Sequence, residues 1–338
     1  MERVFSGIQP TGELHVGNYL GAIRNWVAMQ DRYDCIFCVV DLHAMTIPYD
    51  PAALPQRVLA TAATLIACGI DPERSVLYVQ SHVREHTELC WILNCITPLG
   101  SLQRMTQFKD KARQHEENVN AGLLNYPILQ AADILLYKAS LVPVGEDQIQ
   151  HLELSRDLAR RFNYLFGETF PEPQAHLTKA ARVMALNDPT RKMSKSIPGS
   201  YVALTMPADE IRTLIRRAVT DTGPRGDTMS PGVANLFTLL ESFSAPETVA
   251  QFRAAYDAGT LRYVDLKQQL AEDLVRALTP IRERFHDLMA RPKELRDILA
   301  HGADQARAIA RETMEEVRTK TGLVLQADPA ERTVAQTT

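Results

Sequence analysis

The sequence predicts an α/β fold: a parallel sheet with crossover helices, an inserted helical segment, and a helical carboxy-terminal part. Three observations carry that prediction. Short apolar runs alternate with helix-periodic segments up to Cys95, the pattern turns mostly helical from Leu102, and beyond about residue 200 it consists of amphipathic segments separated by Gly or Pro.

Val4 to Ile8 is a short apolar run ending in Gly and Pro, and it reads as the first strand. Gly17 to Gln30 follows as a helix, with Leu20, Ile23, Trp26 and Val27 at helical spacing. Cys35 to Asp41 is the second strand, and Pro51 to Cys68 the next helix, closed by Gly69. Ser75 to Gln80 is the third strand, and a helix runs from Glu85 to about Cys95. Helices are then predicted over Leu102 to Arg113, Leu123 to Tyr137 and Asp147 to Phe166, with a strand at Leu141 to Val144 between the last two. Further helices begin near Pro207, Gly232, Pro246, Tyr263 and Pro292. The chain therefore divides into a Rossmann-type domain over 1–200, with its helical insertion at about 102–170, and a helical domain over 201–327. The polar stretch 328–338 reads as a frayed tail.

At 338 residues the chain exceeds one typical domain. Net charge is 37 minus 41, or -4, so the molecule as a whole is no basic nucleic-acid coat; any RNA contact must use local patches of Lys and Arg. The chain opens Met1-Glu2-Arg3 and enters an apolar strand at once, with no signal peptide. The apolar runs Ile134 to Tyr137 and Leu141 to Val144 are broken by Lys138 and Ser140, so none spans a membrane. The cysteines are Cys35, Cys38, Cys68, Cys90 and Cys95, an odd number without a framework, which points to a reducing cytoplasm. Cys35 and Cys38 form a C-x-x-C pair, but they sit in an apolar strand with no second pair at zinc spacing. Buried packing is expected, and no metal site.

Two segments have phosphate chemistry. The first is Ser6-Gly7-Ile8-Gln9-Pro10-Thr11-Gly12 followed by His15-Val16-Gly17-Asn18. Its glycines let backbone approach a ligand, and the helix starting near Gly17 offers free N–H groups and a positive dipole end. His15 can donate to a phosphate oxygen and Asn18 can bond from the first turn. Taken alone, the same residues are equally a glycine-rich turn before an ordinary helix cap. The second is Lys192-Met193-Ser194-Lys195-Ser196, bracketed by Arg191 and by Pro198-Gly199. Its lysines can place charge where pyrophosphate leaves, its serines can bond the same oxygens, and Met193 can pack the loop down. A Lys-Ser cluster alone is usually a solvated turn.

Two further patterns are weaker. Tyr126, Gln130, Asp133 and Tyr137 are spaced 4, 3 and 4 apart on an otherwise apolar helix, so they share one stripe. A carboxylate there is costly unless a donor meets it, whether an N–H of a substrate, a lysine or a neighbouring backbone group. Val142-Pro143-Val144-Gly145-Glu146-Asp147-Gln148 is a strand, a glycine and two acids opening a helix, which serves equally as a cap or as a ribose-binding junction.

Together these segments resemble the bacterial tryptophanyl-tRNA synthetases, a class I aminoacyl-tRNA synthetase family, over nearly the whole chain. The specific pieces are Phe5 to Gly12, His15 to Tyr19, Asp41-Leu42-His43-Ala44, Met105 to Lys111, Ala131 to Leu135, Val144 to Gln148 and Lys192 to Ser196, in that order. The resemblance implies that Gln9, Pro10, Thr11, Gly17 and Asn18 contact ATP, as do Gly145, Glu146, Asp147 and Val183 at the ribose and adenine. It implies that Lys111, Lys192 and Lys195 grip pyrophosphate, with His15, Met193, Ser194 and Ser196 beside them. Asp133 resembles the acceptor of the indole N–H. Phe5, His43, Val142 and Val144 resemble walls of the indole pocket, with Gln130 on the same helix face, and Tyr126 and Gln148 resemble holders of the amino group. Gln130 departs from the methionine that many tryptophan enzymes carry, and a Tyr-x-x-x-Gln-x-x-Asp face is reminiscent of tyrosyl enzymes; Gly145 to Gln148 and Asp41 to Ala44 match the tryptophan enzymes better.

The activity implied is ATP-dependent activation of L-tryptophan and its transfer to tRNA-Trp in the cytoplasm, by a homodimer whose tRNA reaches across both subunits. Magnesium is expected on the triphosphate. Some members carry a carboxy-terminal iron–sulfur cluster, but no cysteine follows Cys95, so none is expected here. A silent amino-acid sensor would usually damage the lysine loop, which is intact, and a small nucleotidylyltransferase would lack the helical second half. Arg282, Arg284, Arg291 and Arg296 are candidates for anticodon contact, although charged helix faces are usually just solvated.

Overall fold

The computed structural model describes residues 1–108, 119–145, 148–177, 182–195, 197–220 and 229–323. Five parallel strands form one sheet in the order β3-β2-β1-β4-β5. They are β1 (Arg3–Ile8), β2 (Asp34–Val39), β3 (Val76–Val79), β4 (Leu141–Val144) and β5 (Gln174–Leu177). Between β1 and β2 run α1 (Val16–Asn18), a π-helical turn at Tyr19–Ile23 and α2 (Arg24–Met29). Between β2 and β3 lie α3 (Asp41–Ala44) and α4 (Leu54–Ala67). The crossover from β3 to β4 carries α5 (Glu85–Ile96), α6 (Leu99–Gln103) and α7 (Ala121–Leu136), and α8 (Ile149–Phe166) leads to β5. This is the α/β Rossmann-type arrangement that the sequence predicts.

The strands read as unbroken apolar runs because both faces of the sheet are covered. Alternate residues feed two cores. Val4, Phe37, Val39, Leu77 and Val79 face α2 and α4, with Trp26 stacked on Phe37 at 5.4 Å. Phe5, Ile36, Cys38, Val40, Tyr78, Val142 and Val144 face α5, α7 and α8. Cys35 belongs to the first core and Cys38 to the second, so a spacing of three in a strand points the two thiols away from each other. Burial raises the Cys35 thiol to about 11 and lifts Cys38 well above the ordinary thiol value. The pair is packing, as expected.

Among the described residues five helices follow: α9 (Ala208–Arg217), α10 (Pro231–Phe243), α11 (Pro246–Asp257), α12 (Tyr263–Ala290) and α13 (Pro292–Thr321). They are continuous with the sheet. Leu266, Leu270 and Leu274 of α12 complete the first core, while Ala303, Ala306, Ala310 and Met314 of α13 lie in the second. At Gly302 the helix backbone rests on β3 so closely that a Cβ would stand 2.0 Å from the Leu77 carbonyl oxygen. Gly302→Ala is expected to destabilise by about 1–3 kcal/mol or more, since neither backbone is a flexible side-chain end. The check is the denaturant midpoint, and an unchanged midpoint would contradict the contact.

Three local features differ from expectation. The helix expected over Leu102 to Arg113 is instead broken at Arg104 and Met105 and resumes at Thr106, whose N–H donates to Gln150 Oε1 at 2.9 Å; its part beyond Phe108 lies outside the described residues. β5 was not legible, since Gln-Ala-His-Leu is short, largely exposed and without alternation. The π turn at Tyr19–Ile23 has no sequence signal either.

Candidate active site

The strand order reverses between β1 and β4: the chain builds outward through β2 and β3, then returns to pair β4 with β1 at Val4 and Leu141. Beyond the carboxyl ends of strands at such a reversal, the loops part and leave a crevice. A cavity of about 350 Å³ occupies it. All eight residues expected to hold tryptophan line it: Phe5, His43, Tyr126, Gln130, Asp133, Val142, Val144 and Gln148. Gln9 and Gly145 of the expected nucleotide set line it too, at the β1 and β4 ends.

Asp133 is the one deeply buried carboxylate in the cavity wall, 1% exposed on α7. Three donors meet it. Gln80 Nε2 at 2.7 Å and His86 Nδ1 at 2.6 Å share Oδ1, and His43 Nε2 stands 2.8 Å from Oδ2. Burial works to raise this carboxyl, but the imidazoles of His86 and His43 outweigh it and hold Asp133 below the usual carboxylate range. The donors come from the loops after β2 and β3. His43 is on α3, whose first residue Asp41 accepts from the Ser81 N–H at 3.0 Å and from its hydroxyl. Gln80 directly follows β3 and accepts the Leu42 N–H at 3.2 Å. Sequence reasoning treated His43 as a wall and missed Gln80 and His86. The signal available was that Gln80 is the last residue of the predicted third strand and His86 lies in the first turn of the predicted helix after it.

The helix stripe divides. Tyr126, Gln130 and Asp133 reach the cavity, whereas Tyr137 lies beneath it, fully buried, with its hydroxyl 2.9 Å from His86 Nε2. Tyr126 bonds His151 Nε2 at 2.9 Å and Gln107 Oε1 at 3.2 Å, two partners that sequence reasoning gave no role. Gln130 Nε2 approaches Gln148 Oε1 at 3.5 Å across the pocket.

The two phosphate-type segments meet. Gly12 has φ +140°, a left-handed conformation that suits glycine, and a Cβ there would stand 3.1 Å from Lys195 Cδ. His15 pairs as a bridge with Ala203, Val16 N donates to Val202 O at 2.9 Å, and Leu204 N to Leu14 O at 2.9 Å, tying the segment to the chain just past the lysine loop. Met193, 4% exposed, packs into the first core, and its N–H donates to the Val183 carbonyl at 3.1 Å. Ser194 gives its carbonyl to the Ser200 hydroxyl at 2.5 Å, and Lys192 bridges Met184. Val183 itself is buried in the first core. Asn235 of α10 clamps Met184 from both sides, accepting its N–H at 2.8 Å and donating to its carbonyl at 2.9 Å. No sequence signal marked Asn235.

At the helix start the capping and phosphate readings coexist. His15 Nδ1 accepts the Gly17 N–H at 3.1 Å, and Asn18 Oδ1 accepts the His15 N–H at 3.1 Å, a reciprocal capping box. A ring that accepts at Nδ1 carries its proton on Nε2. Burial, then Lys195 and Lys192, lowers His15 to about 4, so it is a neutral N–H donor at physiological pH. Lys195 is itself lowered from the ordinary lysine value by burial and then by Arg57. Pro10 and Thr11 lie on the loop between β1 and this cap.

Lys111, Glu146, Asp147 and Ser196 lie outside the described residues. Of the four arginines considered for anticodon contact, Arg282 holds the Met206 carbonyl at 3.0 Å, and Arg291 is paired with Asp287 and Glu294; Arg284 and Arg296 are exposed. Among the described residues, no three His, Cys, Asp or Glu side chains gather as a metal site, and no helix is long and apolar enough to cross a membrane.

Residues 1–279 match the family described as tRNA synthetases class I (W and Y). The chain belongs to this class I tRNA synthetase family. A tryptophan–tRNA ligase from Caldanaerobacter subterraneus subsp. tengcongensis is 48% identical over 332 residues, covering 96% of this chain and 100% of the relative. Another from Thermosynechococcus vestitus is 49% identical over 333 residues, covering 95% and 100%. The crystal structure of the Campylobacter jejuni tryptophanyl-tRNA synthetase complexed with ADP and tryptophan matches with a TM-score of 0.85 at 37% identity, covering 95% of this chain and 100% of that one. Within the family the chain stands with the tryptophan–tRNA ligases, as an aminoacyl-tRNA synthetase that uses ATP.

Proposed function

We propose that the chain activates L-tryptophan with ATP to tryptophanyl-adenylate and then transfers the aminoacyl group to tRNA-Trp. The observation that supports this reading best is the cavity at the strand-order reversal, with Asp133 in its wall and the meeting of Gly12 with Lys195 beyond the β1 end. One tryptophan carboxylate oxygen attacks the α-phosphorus in line. The bond from that phosphorus to the α,β-bridging oxygen breaks, and pyrophosphate leaves with the electron pair. A hydroxyl of the terminal tRNA ribose then attacks the acyl carbon, and AMP departs.

No side chain acts as a covalent nucleophile, because the substrate carboxylate is one. Rate enhancement comes from positioning and from charge placed where it develops. Lys192, Lys195 and Lys111 hold the leaving pyrophosphate, His15 Nε2–H, Ser194 and Ser196 bond its oxygens, and Met193 anchors the loop. Gln9, Pro10, Thr11, Gly17, Asn18, Gly145, Glu146, Asp147 and Val183 form the rest of the ATP site. Phe5, His43, Val142, Val144 and Gln130 surround the indole, Asp133 accepts its N–H, and Tyr126 and Gln148 hold the amino group. Mg2+ enters on the triphosphate, which suits a hard cation that keeps its waters and binds phosphate oxygens.

Residues 1–200 form the catalytic unit and 201–327 the part that meets the anticodon region of the tRNA. The enzyme works in the cytoplasm, consistent with five thiols that form no disulfide. It works as a homodimer through the outer face of α5 and α6. There Trp91, Cys95 and Leu99 recur every fourth residue, with Trp91 71% and Leu99 58% exposed. Trp91→Glu is expected to shift the mass measured by light scattering from two chains to one; an unshifted dimer would place the interface elsewhere.

Exchange of labelled pyrophosphate into ATP, run separately with tryptophan and with tyrosine, tests the central reading. Exchange with tryptophan and at least about a hundredfold less with tyrosine is expected, because a buried hydrogen-bonding site rejects a mismatched partner strongly. Equal exchange with both would overturn it.

A further inference from the structure

Asp133 is served from behind by residues that never reach the cavity. His86 is completely buried on α5 and lines no part of the pocket. Its Nδ1 stands 2.6 Å from Asp133 Oδ1, while its Nε2 stands 2.8 Å from the Tyr78 hydroxyl and 2.9 Å from the Tyr137 hydroxyl. The two phenol rings also meet edge to face, with centroids 5.9 Å apart. With Nδ1–H given to the carboxylate, Nε2 is left as the acceptor for a phenol proton. The chain of bonds therefore has a direction, from phenol to imidazole to carboxylate.

The carboxylate can be counted. Two oxygens offer about four lone-pair sites. Gln80 and His86 occupy both sites on Oδ1, and His43 occupies one on Oδ2. One site remains, on the oxygen shared with His43, which lines the cavity. A carboxylate with one acceptor site left suits a ring with one N–H donor.

We infer that His86 is a positioning residue for amino-acid selection: locked by Tyr78 and Tyr137, it holds Asp133 so that a single acceptor site faces the substrate ring. This inference rests on the function proposed above. His86 touches no substrate. It acts by filling and orienting Oδ1, so that the carboxylate can neither rotate nor accept a second donor from the ligand side.

The test compares two substrates in pyrophosphate exchange: tryptophan, and β-(benzothiophen-3-yl)alanine, in which sulfur replaces the ring N–H. Wild type, His86→Leu and His86→Asn are assayed. In His86→Leu the preference for tryptophan over the sulfur analogue, taken as the ratio of kcat/KM values, is expected to fall about tenfold, as befits one charge-assisted hydrogen bond. The KM for tryptophan rises while the KM for ATP stays within about twofold, because uniform binding at the amino-acid subsite alone is lost. His86→Asn, whose amide nitrogen can occupy the place of Nδ1, restores the ratio to within about threefold of wild type.

A purely packing role would lower both substrates equally and leave the ratio unchanged, and that result overturns the inference. If His86→Leu does not fold, the Tyr78→Phe, Tyr137→Phe double variant keeps the rings and removes their hydroxyls. It must then lower the same ratio, and an unchanged ratio overturns the inference equally. Failure of wild type itself to exchange with tryptophan would instead refute the proposed function, so the two failures are distinct.

Discussion

Lys195→Ala is expected to slow tryptophan-dependent pyrophosphate exchange about a hundredfold, a loss of roughly 3 kcal/mol in the barrier, while tryptophan affinity stays within about twofold. The reason lies in where its stem runs. The Lys195 stem passes Gly12 so closely that a Cβ there would stand 3.1 Å from its Cδ and 3.9 Å from its Nζ, which places its ammonium beside the first phosphate-type segment and outside the lining of the Asp133 cavity. Its environment is half-buried, so its charge is less screened than that of an exposed lysine. That same burial, and Arg57, work against its protonated form, and the negative charge of a triphosphate works in the opposite sense. The charge therefore counts most once the polyanion is present and most of all as pyrophosphate departs. Exchange kinetics and equilibrium dialysis with labelled tryptophan separate the two quantities. Equal losses in both would remove Lys195 from the chemistry.

Asp133→Asn is expected to be as damaging, for a different reason. The substitution turns one acceptor oxygen into a donor in a pocket already holding three donors, from His43, His86 and Gln80. At least one buried donor then faces another, at about 1–3 kcal/mol for each group left unmet. Tryptophan kcat/KM should fall by about a hundredfold or more, with no compensating gain for tyrosine. Retained discrimination at retained rate would exclude Asp133 as the acceptor. The stability difference has a defined pH sense. Burial raises the carboxyl, the two imidazoles more than reverse this, and the folded-state value lies below the unfolded value of 3.8. A depressed carboxylate stabilises the fold above its unfolded value and loses that contribution as the pH falls through the folded one. The gap between wild type and Asp133→Asn in chemical denaturation is thus widest above pH 3.8 and narrows below it.

How far the sequence spoke depended on the range of the interactions. Strands buried on both faces announce themselves as apolar runs, and Pro and Gly punctuate the helices, so β1 to β4 and the helices after residue 200 were legible with ends displaced by a few residues. The edge strand β5 was silent because Gln174–Leu177 takes its place from pairing with β4, not from its own residues. The site was legible where one segment holds a whole motif, as at Ser6 to Asn18 and Lys192 to Ser194. It was silent where partners arrive from different loops. Nothing local links Gln80 and His86 to a carboxylate 53 and 47 positions away, and nothing marks Asn235 as the clamp on a backbone 51 positions earlier. The stripe on α7 was read correctly as periodic. Its outcome for Tyr137 depended on Tyr78 and His86, which only the sheet and α5 bring near.

The family match stops at residue 279, yet the helix that roofs β3 starts at Pro292. Leu295 and Leu299 of that helix plug one side of the sheet and Ala303, Ala306 and Ala310 the other, while Arg318 grips Glu88 and Glu316 grips Lys138. A chain cut at residue 279 would keep the whole of the family match. It would lose the lid over the strand that Gln80 follows, and with it support for the donors that hold Asp133. The thirty residues of that helix are foundation, not appendage.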